Sequence, residues 1–294
     1  MKRFPFKLLP IAAMFVAFGS VHAATCTITA TSLTTITFNP TTAQQLTGTV
    51  SGNCTPANNE TGAQNAPTIS IIINSGARIP RSMIRTGSAN LVTYQINKSA
   101  GAGIWNDAAG TTSLTTDGGL NFTMAAAGNT NPQPYSYTFF LNIPAQPTAP
   151  VGKYTDLLTA TIRQVAKNGT ITTLSNATIN LSADILPSCR FSTNPSALNL
   201  NYTSFAPLAV TGTSNFSLNC TAGTLYSQAV APATGTARGV NYSLALSATT
   251  GLIGNAAAQG YIVTGTAGPG QSGTCATSGV LCSATNPHTI TVTY

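Results

Sequence analysis

The chain has 294 residues and sets 12 Lys and Arg against 5 Asp and Glu, so charged residues are only 6% of it, where an average globular protein has about 25%. With 2 His and so few carboxylates, a Ser-His-Asp triad, a His-rich metal centre or a hydrolase with paired carboxylates has almost nothing to draw on. The 43% apolar content still suffices for a folded core, so the scarcity of charge does not mean disorder.

In chain order, residues 1–23 read as an export signal. Lys2, Arg3 and Lys7 form a basic start, Leu8 to Phe18 an apolar stretch, and Val21-His22-Ala23 a small-residue cleavage site. A membrane anchor would need a longer apolar run, and Pro10 interrupts this one. No later stretch has the length of a membrane-crossing helix. Removing the signal leaves nine basic residues against 5 acidic ones, a net charge of +4, and His288 as the only histidine. That thin positive charge argues against a nucleic-acid partner.

The rest of the chain is strand-like. Thr47-Gly-Thr-Val-Ser-Gly-Asn-Cys54, Thr68-Ile-Ser-Ile-Ile-Ile-Asn74, Leu157-Leu-Thr-Ala-Thr-Ile162, Thr170 to Leu181 and Thr289-Ile-Thr-Val-Thr-Tyr294 are β-branched runs between Gly, Pro and Asn. Ile290, Val292 and Tyr294 alternate with Thr289, Thr291 and Thr293, which gives one buried face and one wet face. No segment has helical spacing with caps. Many short strands with turns between them predict an all-β sandwich or barrel.

Six cysteines, Cys26, Cys54, Cys189, Cys220, Cys275 and Cys282, suit an oxidising compartment. Sequence alone does not choose among their pairings. The similar spacings favour Cys26 with Cys54 and Cys189 with Cys220, leaving Cys275 and Cys282 as a local pair. A metal site is disfavoured, because there is no Cys-x-x-Cys and the lone mature His is remote from any pair. No cofactor, metal or catalytic residue is expected. Arg78, Arg81 and Arg85 read as solvated charges, and Gly265 to Gly273 as a flexible loop with no phosphate-loop features.

The chain also repeats itself. Cys26 begins a segment that reaches Thr37-Phe38-Asn39 and then Gly48 to Cys54-Thr55. Cys189 begins one that reaches Leu200-Asn-Tyr202 and then Thr213 to Cys220-Thr221. Leu91-Val-Thr-Tyr94-Gln-Ile96 matches Val240-Asn-Tyr242-Ser-Leu244. A period this long predicts two tandem β-domains, with a boundary near Asp184 to Ser188, where Pro187 breaks the strand.

These residues carry a resemblance. Cys26, Phe38, Cys54-Thr55, Gly76-Ala-Arg78, Arg81-Ser-Met83, Leu91 to Tyr94, Trp105-Asn-Asp107, and above all Ile143-Pro-Ala-Gln146 followed by Gly152-Lys-Tyr154-Thr-Asp156 resemble the spore coat protein U family. That family includes pilin and tip subunits of archaic chaperone–usher pili. The second copy keeps the cysteine frame, Tyr202 and Val240-Asn-Tyr242, but has Asn286-Pro-His-Thr289 where Gly-x-Tyr-x-Asp belongs.

The resemblance implies immunoglobulin-like sandwiches that lack their last strand, the gap being filled by an adjacent pilin subunit's N-terminal strand. The fold expected here is all-β, two immunoglobulin-like (pilin-like) sandwiches in tandem, with residues 24–184 as an N-terminal tip domain and 185–294 as a C-terminal donor-strand acceptor. After cleavage only Ala24 and Thr25 would precede Cys26, too few for a donor strand. The first copy continues into Thr170 to Leu181, which could complete it, whereas the second ends at Tyr294 and would leave Ile290, Val292 and Tyr294 as the acceptor edge. The implied partners are a periplasmic chaperone, an usher, the strand-donating subunit and an abiotic or host surface. The implied place is the fimbrial tip, in attachment and biofilm formation. Apolar tips at Ile104, Trp105, Met124, Ala125 and Ala126 are candidate surface-binding loops. An ordinary pilin or secreted structural protein, a sugar-binding tip and an outer-membrane β-barrel are the alternatives. The barrel would need aromatic girdles, and aromatics are only 7%.

Overall fold

The computed structural model describes residues 24–56, 68–74, 80–100, 102–105, 119–124, 131–165, 170–275 and 281–294. The export signal read at 1–23 lies outside them. Every regular element among the described residues is a strand: β1 (Thr25–Cys26), β2 (Thr29–Ala30), β3 (Leu33–Thr37), β4 (Gln44–Thr55), β5 (Thr68–Asn74), β6 (Ser82–Arg85), β7 (Leu91–Thr93), β8 (Gln95–Ser99), β9 (Ala102–Ile104), β10 (Leu120–Thr123), β11 (Gln133–Ile143), β12 (Gly152–Val165) and β13 (Ile171–Ile185). After a short link follow β14 (Cys189–Thr193), β15 (Val210–Cys220), β16 (Leu225–Ala231), β17 (Thr234–Ala237), β18 (Val240–Leu246), β19 (Leu252–Ile253), β20 (Ala258–Ala267) and β21 (Thr289–Thr293).

These strands form two sandwiches in tandem. In the first copy one sheet runs β1-β4-β11-β8-β9, with β2 also on β4, and the other runs β10-β5-β12-β13-β3, with β6 on β12 and β7 on β6. In the second copy the sheets run β14-β15-β20-β18-β17 and β19-β16-β21. Among the described residues no sheet mixes strands of the two copies, and each sheet order has open ends. That overturns the barrel alternative, since a barrel closes its sheet on itself.

Period-2 burial explains the pairing. In β5 the β-branched Ile69, Ile71 and Ile73 are fully buried and meet Phe38, Phe139, Leu141, Tyr154, Leu158, Ile162, Ile179 and Leu181 in one core. In β15 the alternate residues Ser214, Phe216, Leu218 and Cys220 turn inward. Phe216 packs against Phe191 and Tyr261 at ring distances of 5.9 and 5.6 Å. The second core is thinner: Leu198, Leu244, Leu246, Ile290 and Val292 lie against it only half-buried.

Three disulfides fasten this frame. Cys26–Cys54 joins β1 to β4, Cys189–Cys220 joins β14 to β15, and Cys275 pairs with Cys282. Each long bridge stabilises by roughly 3.5 kcal/mol on a loop-entropy model.

Register fixes the two ends of the first copy. Thr123, Thr68 and Val165 stand side by side in one sheet, as do Cys26, Cys54 and Gln133 in the other. The chain therefore leaves that one end after Thr55, Thr123 and Val165. Gly152 pairs with Ile185 at the opposite end, where the link Leu186-Pro187-Ser188 leads to Cys189. The second copy meets this end with its disulfide end: the Val151 N–H donates to the Ala222 carbonyl at 2.8 Å.

The Tyr135 hydroxyl donates to the Thr27 carbonyl at 2.6 Å, and burial pushes its phenol up to about 12. An unfolded tyrosine ionises near pH 10, so the stability it contributes is complete below about pH 10 and is lost as pH rises through about 12. Urea midpoints measured across that alkaline window should fall, and Tyr135→Phe should flatten the fall.

Candidate functional site

In the first copy β12 is paired on both edges. Ile162 stands opposite Ile71 of β5, while Leu158 and Tyr154 stand opposite Ile179 and Ala183 of β13. β21 occupies the matching place in the second copy and is paired on one edge alone. Ile290 faces Val230 and Val292 faces Gln228 of β16, and the sheet order ends there among the described residues. Ile290 and Val292 keep their half-buried side chains on the core, and Tyr294 is 56% exposed.

The other wall of this gap is also displaced. In the first copy the chain crosses from the β1 side to the second sheet, where β3 pairs in parallel with β13. In the second copy the corresponding stretch stays along β15. Ser214 Oγ donates to the Ser196 carbonyl at 2.6 Å, and Gly212 sits so close to the Asn199 carbonyl that a Cβ there would approach it to 2.3 Å. Half-buried Leu198 packs against the same core as the aliphatic residues of β18 and β21.

The repeat motifs brace one end of each sandwich. Gln146 Oε1 accepts from the Thr93 N–H at 2.8 Å and its hydroxyl at 3.1 Å, and Gln146 Nε2 donates to the Thr93 carbonyl at 2.9 Å. Gln271 repeats this clamp, accepting from the Asn241 N–H at 2.6 Å and donating to the Asn241 carbonyl at 3.0 Å. The next residue in each copy is a tyrosine. Tyr94 donates to Asp156 Oδ2 at 2.6 Å, and Tyr242 pairs with His288 Nε2 at 2.8 Å. His288 Nδ1 lies 2.8 Å from the Pro232 carbonyl, an acceptor, so Nδ1 carries a proton, and in that tautomer Nε2 accepts from Tyr242. His288 thus takes the part of Asp156. The sequence comparison found His288 only as a departure. It missed Gln271, which lies inside the Gly-rich stretch read as a flexible loop. The one available signal was a glutamine shortly after a strand in both copies.

Of the candidate surface residues, Ile104 on the edge strand β9 is 58% exposed. Trp105 and Met124 are corrected: they are 0% and 2% exposed. The Trp105 indole N–H donates to the Ile71 carbonyl at 3.2 Å, so the large ring covers the isoleucine row of β5 instead of meeting solvent. Met124 continues the inward face of Leu120 and Phe122 beyond β10. The register of β9 also sets Ile104 opposite Asn97, partway along the sheet. Ala125 and Ala126, Arg78 and the Asn106-Asp107 pair lie outside the described residues. Arg81 is no solvated charge either, being 5% exposed with its Nη2 donating to the Ile73 carbonyl.

Residues 11–161, just over half of the chain, match the model of the Spore Coat Protein U domain. The chain belongs to the spore coat protein U family. It is a structural protein, not an enzyme. No curated protein matches it in sequence. Among solved structures it is similar to a chain of the CsuC–CsuE chaperone–tip adhesion subunit pre-assembly complex from the archaic chaperone–usher Csu pili of Acinetobacter baumannii, at 13% identity over 92% of this chain and 100% of that one, with a TM-score of 0.46. It is also similar to the CssB subunit complemented with a donor strand from CssA, of the enterotoxigenic Escherichia coli colonization factor CS6, at 17% identity over 55% and 97%, TM-score 0.29. A chain of the chaperone–tip adhesin complex of CFA/I fimbriae is a third, at 12% identity over 90% and 95%, TM-score 0.28.

Within the spore coat protein U domain, Gln146 should matter for stability and not for recognition. Three hydrogen bonds at about 0.5–1.5 kcal/mol each predict a loss of roughly 2–3 kcal/mol for Gln146→Ala. Trp105 is the only tryptophan, so its fluorescence in a urea melt reports the first copy selectively. Gln271→Ala should leave that transition in place.

Proposed function

We propose that the protein is the tip adhesin subunit of an archaic chaperone–usher pilus, with residues 24–184 as the outer adhesive domain and 185–294 as the donor-strand acceptor. The observation that carries this reading is the one-sided pairing of β21 beside the two-sided pairing of β12. An extended segment adds to such an edge through main-chain hydrogen bonds, while pockets for alternate side chains give specificity. Here the edge of β21 with no partner among the described residues offers the main-chain groups, and half-buried Leu198, Leu244 and Leu246 leave apolar surface on the second core. In the first copy β13 and β3 occupy the corresponding place beside β12. A subunit that takes one strand and has a closed outer sandwich fits the end of a fibre.

In this reading the chain is exported behind the signal at 1–23, and a periplasmic chaperone covers the β21 edge, since a bare apolar strand edge aggregates. The usher then exchanges the chaperone for a neighbouring pilin's N-terminal strand. At the cell surface the outer domain attaches to abiotic or host surfaces and supports biofilm growth. Ile104, with Ala125 and Ala126, forms the contact.

Co-expression with its chaperone, followed by mass determination, tests the acceptor. A one-to-one complex is expected, and a stable free monomer that ignores the chaperone would overturn it. Ile104→Ser should weaken attachment to polystyrene with assembly unchanged. Met124→Ser should instead destabilise the outer domain, by the 2–5 kcal/mol range of core truncations at about its upper half.

A further inference from the structure

β13 belongs to the first copy by pairing and to the second by sequence. It fills the place between β12 and β3, yet only Leu186, Pro187 and Ser188 separate it from Cys189, the first cysteine of the second copy. Ile179, Leu181, Ala183 and Ile185 point from it into the first core. The first sandwich is therefore closed by a strand carried just ahead of another sandwich's first cysteine. The chain contains, covalently fused, a complete joint between a strand acceptor and a strand bearer.

At that joint the acceptor presents a turn. The Phe38 N–H donates to the Asp184 carbonyl at 3.0 Å, and a cleft of about 330 Å³ separates Asn39, Pro40 and Thr41 from Ser188, Arg190 and Thr221 of the second copy. The second copy repeats this turn at its far end. The Gly270 N–H donates to the Ala206 carbonyl at 2.9 Å, as the Gln146 N–H donates to the Pro40 carbonyl at 2.7 Å. Its chemistry is different. Asn39-Pro-Thr-Thr42 is replaced by Phe205-Ala-Pro-Leu208, with Phe205 69% and Leu208 76% exposed and neither in a core. Phe205 has a φ of 56°, a backbone conformation that bulky residues rarely adopt.

Direction links this turn to β21. β13 runs antiparallel to β12 and ends beside Gly152. A strand set against β21 in the same sense runs from Thr293 towards Thr289 and leaves at the end where the Phe205–Leu208 turn stands. We propose that Phe205, Pro207 and Leu208 seat the disulfide end of the neighbouring subunit, a second spore coat protein U domain whose N-terminal strand pairs with β21. This rests on the acceptor reading above. The occupant's end is apolar where the second copy itself carries Arg190 and Asn219, which face the polar turn of the first copy.

The test uses fimbriae sheared from cells that express the full chain with benzoylphenylalanine at position 205 or, separately, at position 293. Illumination at either position should join this chain to the same single subunit. The adduct from 205 should map beside that subunit's first disulfide, and Leu208→Asp should reduce its yield at least tenfold without changing the yield from 293. An adduct from 293 with none from 205, or one from 205 that maps elsewhere on the subunit, overturns the seat and leaves the acceptor reading standing. No adduct from either position overturns both.

Discussion

A β-strand inside a sandwich needs partners on both edges, because each buried backbone N–H and C=O left unpaired costs about as much as a lost hydrogen bond. The two copies differ mainly in how they meet that requirement. In the first, the 15-residue β13 lies along the full length of β12, and the side chains of both strands complete a core of fully buried Ile, Leu and Tyr. In the second, β21 has no such neighbour among the described residues. Its aliphatic side chains and those of β18 stay half-buried. A missing strand thus removes two things together, a row of hydrogen bonds and the lid of the core.

The motif that carries the resemblance is a brace for the end of the sandwich. Gln146 pairs with both main-chain groups of Thr93, Tyr94 reaches Asp156, and the Tyr154 hydroxyl donates to the Pro150 carbonyl at 2.7 Å. Gly152 opens β12 at a φ of 137°, where a Cβ would come within 2.5 Å of Arg85. These groups hold the turns that carry the chain between the sheets. The second copy keeps the brace with other residues, a glutamine moved along the turn and a histidine for the aspartate. The geometry to be held is the same, and any acceptor that reaches the tyrosine serves.

The all-β class, the tandem repeat and the paired cysteines were legible because they rest on period-2 patterning and on spacings that survive divergence. Trp105 and Met124 were misplaced for a physical reason. An apolar residue beside Gly and Ala looks like part of an exposed tip, and only register shows that Met124 continues the inward parity of Leu120 and Phe122 or that Trp105 covers Ile71. Gln271 was hidden by its glycine-rich surroundings. The double allegiance of β13 was illegible for another reason, since sequence order ties it to the second copy and only the pairing ties it to the first.

The composition bears on the same constraint. Natural sheet edges are blunted by Lys, Pro, bulges or covering loops, and β21 reads Thr-Ile-Thr-Val-Thr, with no charge and no Pro. With charged residues at 6% of the chain, few are at hand to guard such an edge. Lys153, Asp156 and Arg163 all lie on β12, whose edges are already paired. Those three charges stand on a strand with two partners, Arg190 stands on β14 at the end of its sheet, and β21 has none. A strand that remained bare would be expected to carry such a charge. The bareness of β21 fits an edge that is always covered, by one protein partner or the next.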